Sequence, residues 1–217
     1  YDLPSLVSPT LKWERIQTLD IGGDFGFFNN ELNISFDWYQ RTTKDMLAPG
    51  QTMPDVLGAG APKINAGTLR TRGWELSIDW RHHFNEVNVY ANASIGDFKT
   101  VITKWDNDSQ LLNENYSGKV YGDIWGFETD RYFTKDDFNA DGSYKEGIAS
   151  QKKLEQDGFV YGPGDIKFKD LNNDKEINGG EGTVKDHGDL KVIGNTTPRY
   201  QYGFRLGGEW KGIDIDM

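Results

Sequence analysis

Apolar and polar residues alternate in several separate segments of this chain, and this alternation limits the fold more than any other feature. In segment 32–39 every second residue is Leu, Ile, Phe or Trp, and Asn, Ser, Asp and Tyr lie between them. Segments 74–81, 87–96 and 200–210 repeat the pattern, and segments 13–27 and 213–215 follow it less regularly. Because successive side chains of a β-strand point to opposite faces, a period of two predicts strands with one apolar and one polar face. The sequence therefore predicts an all-β fold of about six strands.

The connections between these strands alternate between short and long. About four, five and two residues separate the strands within each hairpin, whereas long loops are expected over about 43–71 and 97–197. Compact soluble domains rarely contain such loops. Outer-membrane barrels combine short periplasmic turns with long extracellular loops, so the pattern favours a transmembrane β-barrel. A soluble β-sandwich with a solvated polar face is the alternative.

Composition excludes several classes of function. The chain has no Cys, which excludes disulfides and thiol catalysis. It has 24 Lys and Arg against 34 Asp and Glu, and this acidic balance argues against a nucleic-acid partner. No run of about 18 apolar residues predicts a membrane helix. No motif of a hydrolase, P-loop enzyme or metalloprotease is found, so we expect no enzyme.

Four stretches of sequence carry a more specific signal. They are residues 9–47, which include LKWE at 11–14; residues 58–80, which include GWEL at 73–76; GDIWGFETDRYF at 122–133; and residues 164–203, which begin GDIKFKDLNND. In order and spacing they resemble the C-terminal barrel half of the SusC/RagA family of TonB-dependent outer-membrane transporters of Bacteroidetes. The resemblance covers nearly the whole chain.

The resemblance implies a 22-stranded antiparallel transmembrane β-barrel surrounded by outer-membrane lipid. Residues 1–217 would be a fragment of one such barrel domain, without the plug domain and the N-terminal segment that contacts TonB. The family imports bulky nutrients, glycan or peptide, across the outer membrane together with a SusD-like surface lipoprotein. We therefore expect a Gram-negative, Bacteroidetes-like cell. No cofactor is required by this function, and the alternative is a soluble calcium-stabilised β-sandwich binding module.

An acidic segment in the second long loop has the spacing of a twelve-residue calcium loop. Oxygen-bearing side chains stand at suitable positions in Asp170, Asn172, Asp174, Glu176, Asn178 and Glu181. Lys175 takes the place where the turn prefers Gly, so it must adopt a positive φ if the loop is to close. The alternative is a loop in which Asp and Asn side chains satisfy the local backbone.

Aromatic residues are dense in the same region. Candidate residues for a ligand or partner surface are Trp105, Trp125, Phe127 and Tyr132, and Tyr116, Tyr121 and Phe133 lie near them in sequence. These rings could form a stacking platform for sugar rings. We favour the other interpretation, in which they pack a long loop into a small core of its own.

Overall fold

The computed structural model describes residues 8–49 and 62–217. It contains ten strands in these residues: β1 Arg15–Phe27, β2 Leu32–Pro49, β3 Lys63–Phe84, β4 Val87–Trp105, β5 Asp123–Phe127, β6 Thr129–Tyr132, β7 Ile166–Phe168, β8 Leu190–Asn195, β9 Gln201–Trp210 and β10 Ile213–Asp216. The described residues also contain two single-turn 3-10 helices, Lys135–Asp137 and Lys152–Leu154. Within this part of the chain no helix is long and apolar enough to cross a membrane.

Six strands form one antiparallel sheet in the order β1-β2-β3-β4-β9-β10. The tight turns within its hairpins contain residues that tolerate a positive φ. Asn29 and Asn30 have φ values of 53° and 67° between β1 and β2, and Asn85 has 50° between β3 and β4. Such turns match the twist of the strands that they join. The short connections predicted from the sequence are confirmed.

The first long loop is much shorter than predicted, because both neighbouring strands continue into it. Residues 43–49 and 63–71 were expected to be loop, but they belong to β2 and β3 and pair with each other, as in Thr43 with Leu69 and Leu47 with Asn65. The register shifts around Asp45, whose φ is 57°. A β-bulge of this kind moves the alternation by one residue, and the Thr, Lys and Arg residues here carry no apolar signal.

The chain divides into two compact units, residues 1–105 with 197–217 and Asp106–Thr196. The prediction of a long loop over 97–197 is therefore wrong at its start. Residues 97–105 are the end of β4, and Asp106–Thr196 has secondary structure of its own, with β5 paired to β8 and β6 paired to β7. A small set of buried side chains stabilises this second unit, namely Leu112, Tyr116, Phe133, Phe138 and Ile177.

Candidate functional site

The strand register of the six-stranded sheet collects apolar side chains on one face. One cross-strand row joins Phe25, Ile34, Ile78, Ala93 and Phe204, because directly opposite residues of antiparallel strands lie on the same face. The outer members remain exposed, Phe25 by 55% and Phe204 by 67%. An exposed row of apolar side chains across several strands is typical of contact with lipid or another protein.

The opposite face of the same sheet is polar. Its cross-strand rows contain Asp24, Ser35, Ser77 and Ser94 in one case and Asn33, Asp79, Asn92 and Arg205 in another. Several of these side chains are hydrogen-bonded to a neighbour on the same face: Ser35 donates to Asp24, Asn92 donates to Asp79, and Arg205 pairs with Asp216. Such groups are stable only where water or polar partners are present.

A cavity of about 350 Å³ opens on this polar face. Asp37, Glu75, Tyr39 and Gln201 are among the residues that line it. Tyr39 lies directly opposite Gly73, and a Cβ placed on Gly73 would lie 2.5 Å from the Tyr39 ring. Glycine therefore allows the ring to lie flat against the neighbouring strand, as it does where Tyr90 faces Gly207 and Trp105 faces Gly67.

The acidic segment over 170–181 forms a tight loop whose side chains accept hydrogen bonds from its own backbone. The Asp170 carboxylate accepts the N–H groups of Asn173 at 2.6 Å and Lys175 at 2.9 Å, and Asp174 accepts that of Glu176 at 2.8 Å. Lys175 has a φ of 66°, as the tight turn requires. These bonds stabilise the turns of the loop.

Several of the six predicted calcium ligands have polar partners within the protein. Glu176 pairs with Lys153 at 2.6 Å, and Asn178 accepts the N–H of Gly180 at 2.8 Å. Among the described residues no group of three or more His, Asp or Glu side chains is placed to hold a metal ion. Calcium binding by this loop stays a prediction.

Asp189 organises the acidic loop, although its position in the sequence gave no indication of this. Its side chain is fully buried and accepts the N–H of Leu171 at 2.7 Å and that of Asn178 at 3.0 Å. One carboxylate thus holds both ends of the segment 171–178. The preceding residue is Gly188, whose φ is 55° and where a Cβ would collide with backbone atoms, so the close packing beside Asp189 requires glycine.

Ion pairs stabilise the strands of the second unit. Glu128 accepts from Lys169 at 2.7 Å and from Lys191 at 2.6 Å, and these two ammonium groups lower the pKa of the Glu128 carboxyl to about 2. Asp137 is buried and forms two hydrogen bonds of 2.6 Å with Arg131, which hold the pKa of Asp137 well below its ordinary value. Such paired groups support the fold rather than chemistry.

The aromatic candidates separate into three environments. Trp105 lies on β4 in the sheet rather than in the loop where it was expected. Trp125 donates its indole N–H to Tyr116 and its ring lies 5.5 Å from that of His187, while the Phe127 ring lies 5.3 Å from that of Phe168. Tyr132, by contrast, is 66% exposed.

Most of the aromatic side chains therefore pack within the second unit. Phe133 lies at the centre of a cluster with Phe138, Tyr144 and Tyr161, at ring distances of 5.1 to 6.3 Å. Trp125 also lines a second cavity, of about 610 Å³, whose residues all belong to Asp106–Thr196. The sequence did not predict this cavity, because its walls come from segments that are distant along the chain.

Comparison with known proteins identifies the family that contains this sheet. A family model described as TonB dependent receptor-like, beta-barrel, matches residues 1–212. The chain belongs to the TonB-dependent receptor family. TonB-dependent receptor P3 of Formosa agariphila is 28% identical over 232 residues, which cover 99% of this chain and 21% of that protein. TonB-dependent receptor SusC of Bacteroides thetaiotaomicron is 27% identical over 217 residues, or 92% of this chain and 19% of that protein.

Solved structures have the same fold. The RagAB peptide importer in its open-open state matches 98% of this chain and 21% of the solved chain, with a TM-score of 0.66 and 22% identity. A second structure, of the RagAB peptide transporter, matches with a TM-score of 0.60 and 23% identity. The present chain thus spans about a fifth of the length of these TonB-dependent receptors and transporters.

Membership in the TonB-dependent receptor family confirms the all-β barrel fold and the resemblance to SusC and RagA, and it removes the soluble β-sandwich alternative. The total of 22 strands stays a prediction. The relatives are named receptors and transporters rather than enzymes. A TonB-dependent receptor barrel belongs to the outer membrane of Gram-negative bacteria, so membership also implies this location.

Proposed function

We propose that this chain is part of the wall of an outer-membrane importer that takes up bulky nutrients, glycan or peptide. The observation that carries the proposal is the separation of the two faces of the sheet. The row through Phe25 and Phe204 would face lipid, while the row through Asp24 and Ser94 would face the water-filled interior of the barrel.

The relatives support the partners that we propose. One is named SusC and the solved structures are of the RagAB importer, so we infer that a SusD-like surface lipoprotein assembles with this receptor. TonB would supply energy through the N-terminal part of the full-length receptor. The Bacteroides and Formosa relatives favour a Bacteroidetes host. No catalytic step is part of the proposed function.

Uptake by whole cells tests the import function. The gene for the full-length receptor is deleted in its bacterium, and the entry of labelled oligopeptides and of labelled oligosaccharides is measured. We expect the deletion to abolish uptake of one of the two classes of nutrient. The wild-type gene should restore this uptake, whereas a receptor whose TonB-contacting segment has been removed should not. Equal uptake of both classes in all strains would contradict the proposal.

Labelling of single cysteines tests the assignment of the two faces. The present chain contains no Cys, so Ser77→Cys and Ile78→Cys can be compared in a full-length receptor without other cysteines. The two residues are neighbours on β3 but lie on opposite faces. In intact outer membranes a charged maleimide should label Ser77→Cys faster, and detergent should remove the difference. Faster labelling of Ile78→Cys would reverse the assignment.

A further inference from the structure

The cavity of about 610 Å³ in Asp106–Thr196 has the lining of a ligand site. Its apolar lining residues are Leu111, Leu112, Ile124, Trp125 and Leu190. Ile124 is 43% exposed, so apolar surface remains accessible there. Small-molecule sites are usually concave and mostly apolar, with a few polar groups that fix orientation. The floor of this cavity suits a branched aliphatic group.

The polar residue with the most definite geometry at this cavity is Lys119. Its ammonium donates to the carbonyl oxygens of Leu112 at 3.1 Å and Glu114 at 2.8 Å, and it lies 5.3 Å from the centre of the Tyr116 ring. An ammonium group has three N–H donors, so these two bonds leave one for an external acceptor. Within the described part of the chain, Lys119 forms no ion pair with a carboxylate. Its charge is therefore held in place at the cavity by backbone carbonyl groups rather than by a direct ion pair.

Asp123 and Glu181 line the same cavity, so it carries charges of both signs beside an apolar floor. We propose that this cavity binds short peptides with an apolar C-terminal residue. The apolar side chain would enter the floor, the terminal carboxylate would accept a hydrogen bond from Lys119, and the free amino group would lie near Asp123 and Glu181. Such charge-assisted hydrogen bonds are about twice as strong as neutral ones. The physiological role of this site rests on the proposed import function, whereas binding itself does not.

The same lining argues against a sugar ring as the occupant. Hydroxyl groups placed on Leu111, Leu112 and Leu190 would lose their hydrogen bonds to water without replacement. The indole N–H of Trp125, which could otherwise bind a hydroxyl group, is already donated to Tyr116 at 3.2 Å. The proposal therefore selects peptide rather than glycan at this site.

Ligand-observed saturation-transfer NMR on the full-length receptor in detergent tests the proposal. The probes are the dipeptide Gly-Leu, its C-terminal amide and maltose, and the variants are Lys119→Met, Lys119→Arg and the exposed control Lys135→Met. We expect Gly-Leu to bind about tenfold more tightly than its amide, with the strongest saturation on the leucine methyl groups. Lys119→Met should bind the acid and the amide equally, while Lys119→Arg and Lys135→Met should keep the preference.

The outcomes separate this site from the import function. If Lys119→Met still binds the amide, its cavity is folded. If Lys119→Arg still prefers Gly-Leu to the amide, a positive charge at this position is sufficient for the preference. An unchanged preference for the acid in Lys119→Met, stronger binding of maltose than of Gly-Leu, or no binding of Gly-Leu at about 10 mM overturns the proposal. If deletion of the receptor abolishes peptide uptake but Gly-Leu does not bind to the purified receptor, the proposed site is refuted and the proposed import function is not.

Discussion

Substitution of Asp189 by Asn tests whether one buried carboxylate organises the acidic loop. The wild-type side chain accepts the N–H groups of Leu171 and Asn178 with its two different oxygens and is fully buried. Asparagine keeps one acceptor oxygen and replaces the other with an NH₂ group, so one of the two partly buried backbone N–H donors loses its acceptor. Leaving a buried donor unsatisfied costs about 1–3 kcal/mol, and we expect a cost of up to about 2 kcal/mol here.

Hydrogen–deuterium exchange of the full-length receptor in detergent measures this cost locally. If the loop opens as a unit, a loss of about 2 kcal/mol makes exchange at Leu171 and Asn178 about thirtyfold faster. Exchange in β2 and β3 should not change, because the sheet is a separate unit. The control is Asp186→Asn, the same chemical change at an exposed position of the same segment.

Two results would refute the reasoning about Asp189. If the amides of Leu171 and Asn178 exchange equally fast in Asp189→Asn and in Asp186→Asn, the two hydrogen bonds do not determine the stability of the loop. If exchange rises throughout the sheet as well, the effect of the substitution is general rather than local.

Three further predictions concern other parts of the molecule. Gly73→Leu should displace the Tyr39 ring and reduce the yield of folded receptor in the outer membrane, whereas Ser77→Leu on the same strand should be milder; equal yields would contradict this. The depressed pKa of Glu128 stabilises the fold above about pH 4.5, and this contribution is lost as the pH falls towards about 2, so Glu128→Gln should flatten the acid-induced rise in proteolysis of the second unit. An identical pH profile in Glu128→Gln would exclude that cause. The spacing of the loop over 170–181 predicts that calcium slows amide exchange there, and equal exchange with calcium and with a chelator would contradict this prediction.

The faces and hairpins of the sheet could be predicted from the sequence, but the ends of its strands could not. Alternation identifies a strand only where apolar residues mark every second position, as in Ile34 and Phe36. Beyond Thr43 the strand continues through polar residues, held by backbone hydrogen bonds to β3 that are independent of side-chain type. The bulge at Asp45 then shifts the period, so the pattern indicates a loop where the ladder persists.

The second unit shows more clearly which features could not be predicted from the sequence. Lys175 could be predicted to need a positive φ, because the calcium-loop spacing requires a sharp turn at that position, and the structure confirms it. Asp189 could not be distinguished from the many solvated acidic residues around it, since burial depends on what folds over a residue. The same holds for the cavity lined by Lys119, whose walls come from segments that are distant along the chain.

The sequence by itself therefore determined the period of two, the apolar and polar faces, the tight turns and the family. All of these depend on residues that are near one another in the chain or on fixed motifs. Only the tertiary structure decided how far the strands extend, which residues form the core of Asp106–Thr196, and which charged groups are buried, paired or left with a free donor. Those properties arise from contacts between distant residues, such as Asp189 with Leu171, and local patterns of sequence do not encode them.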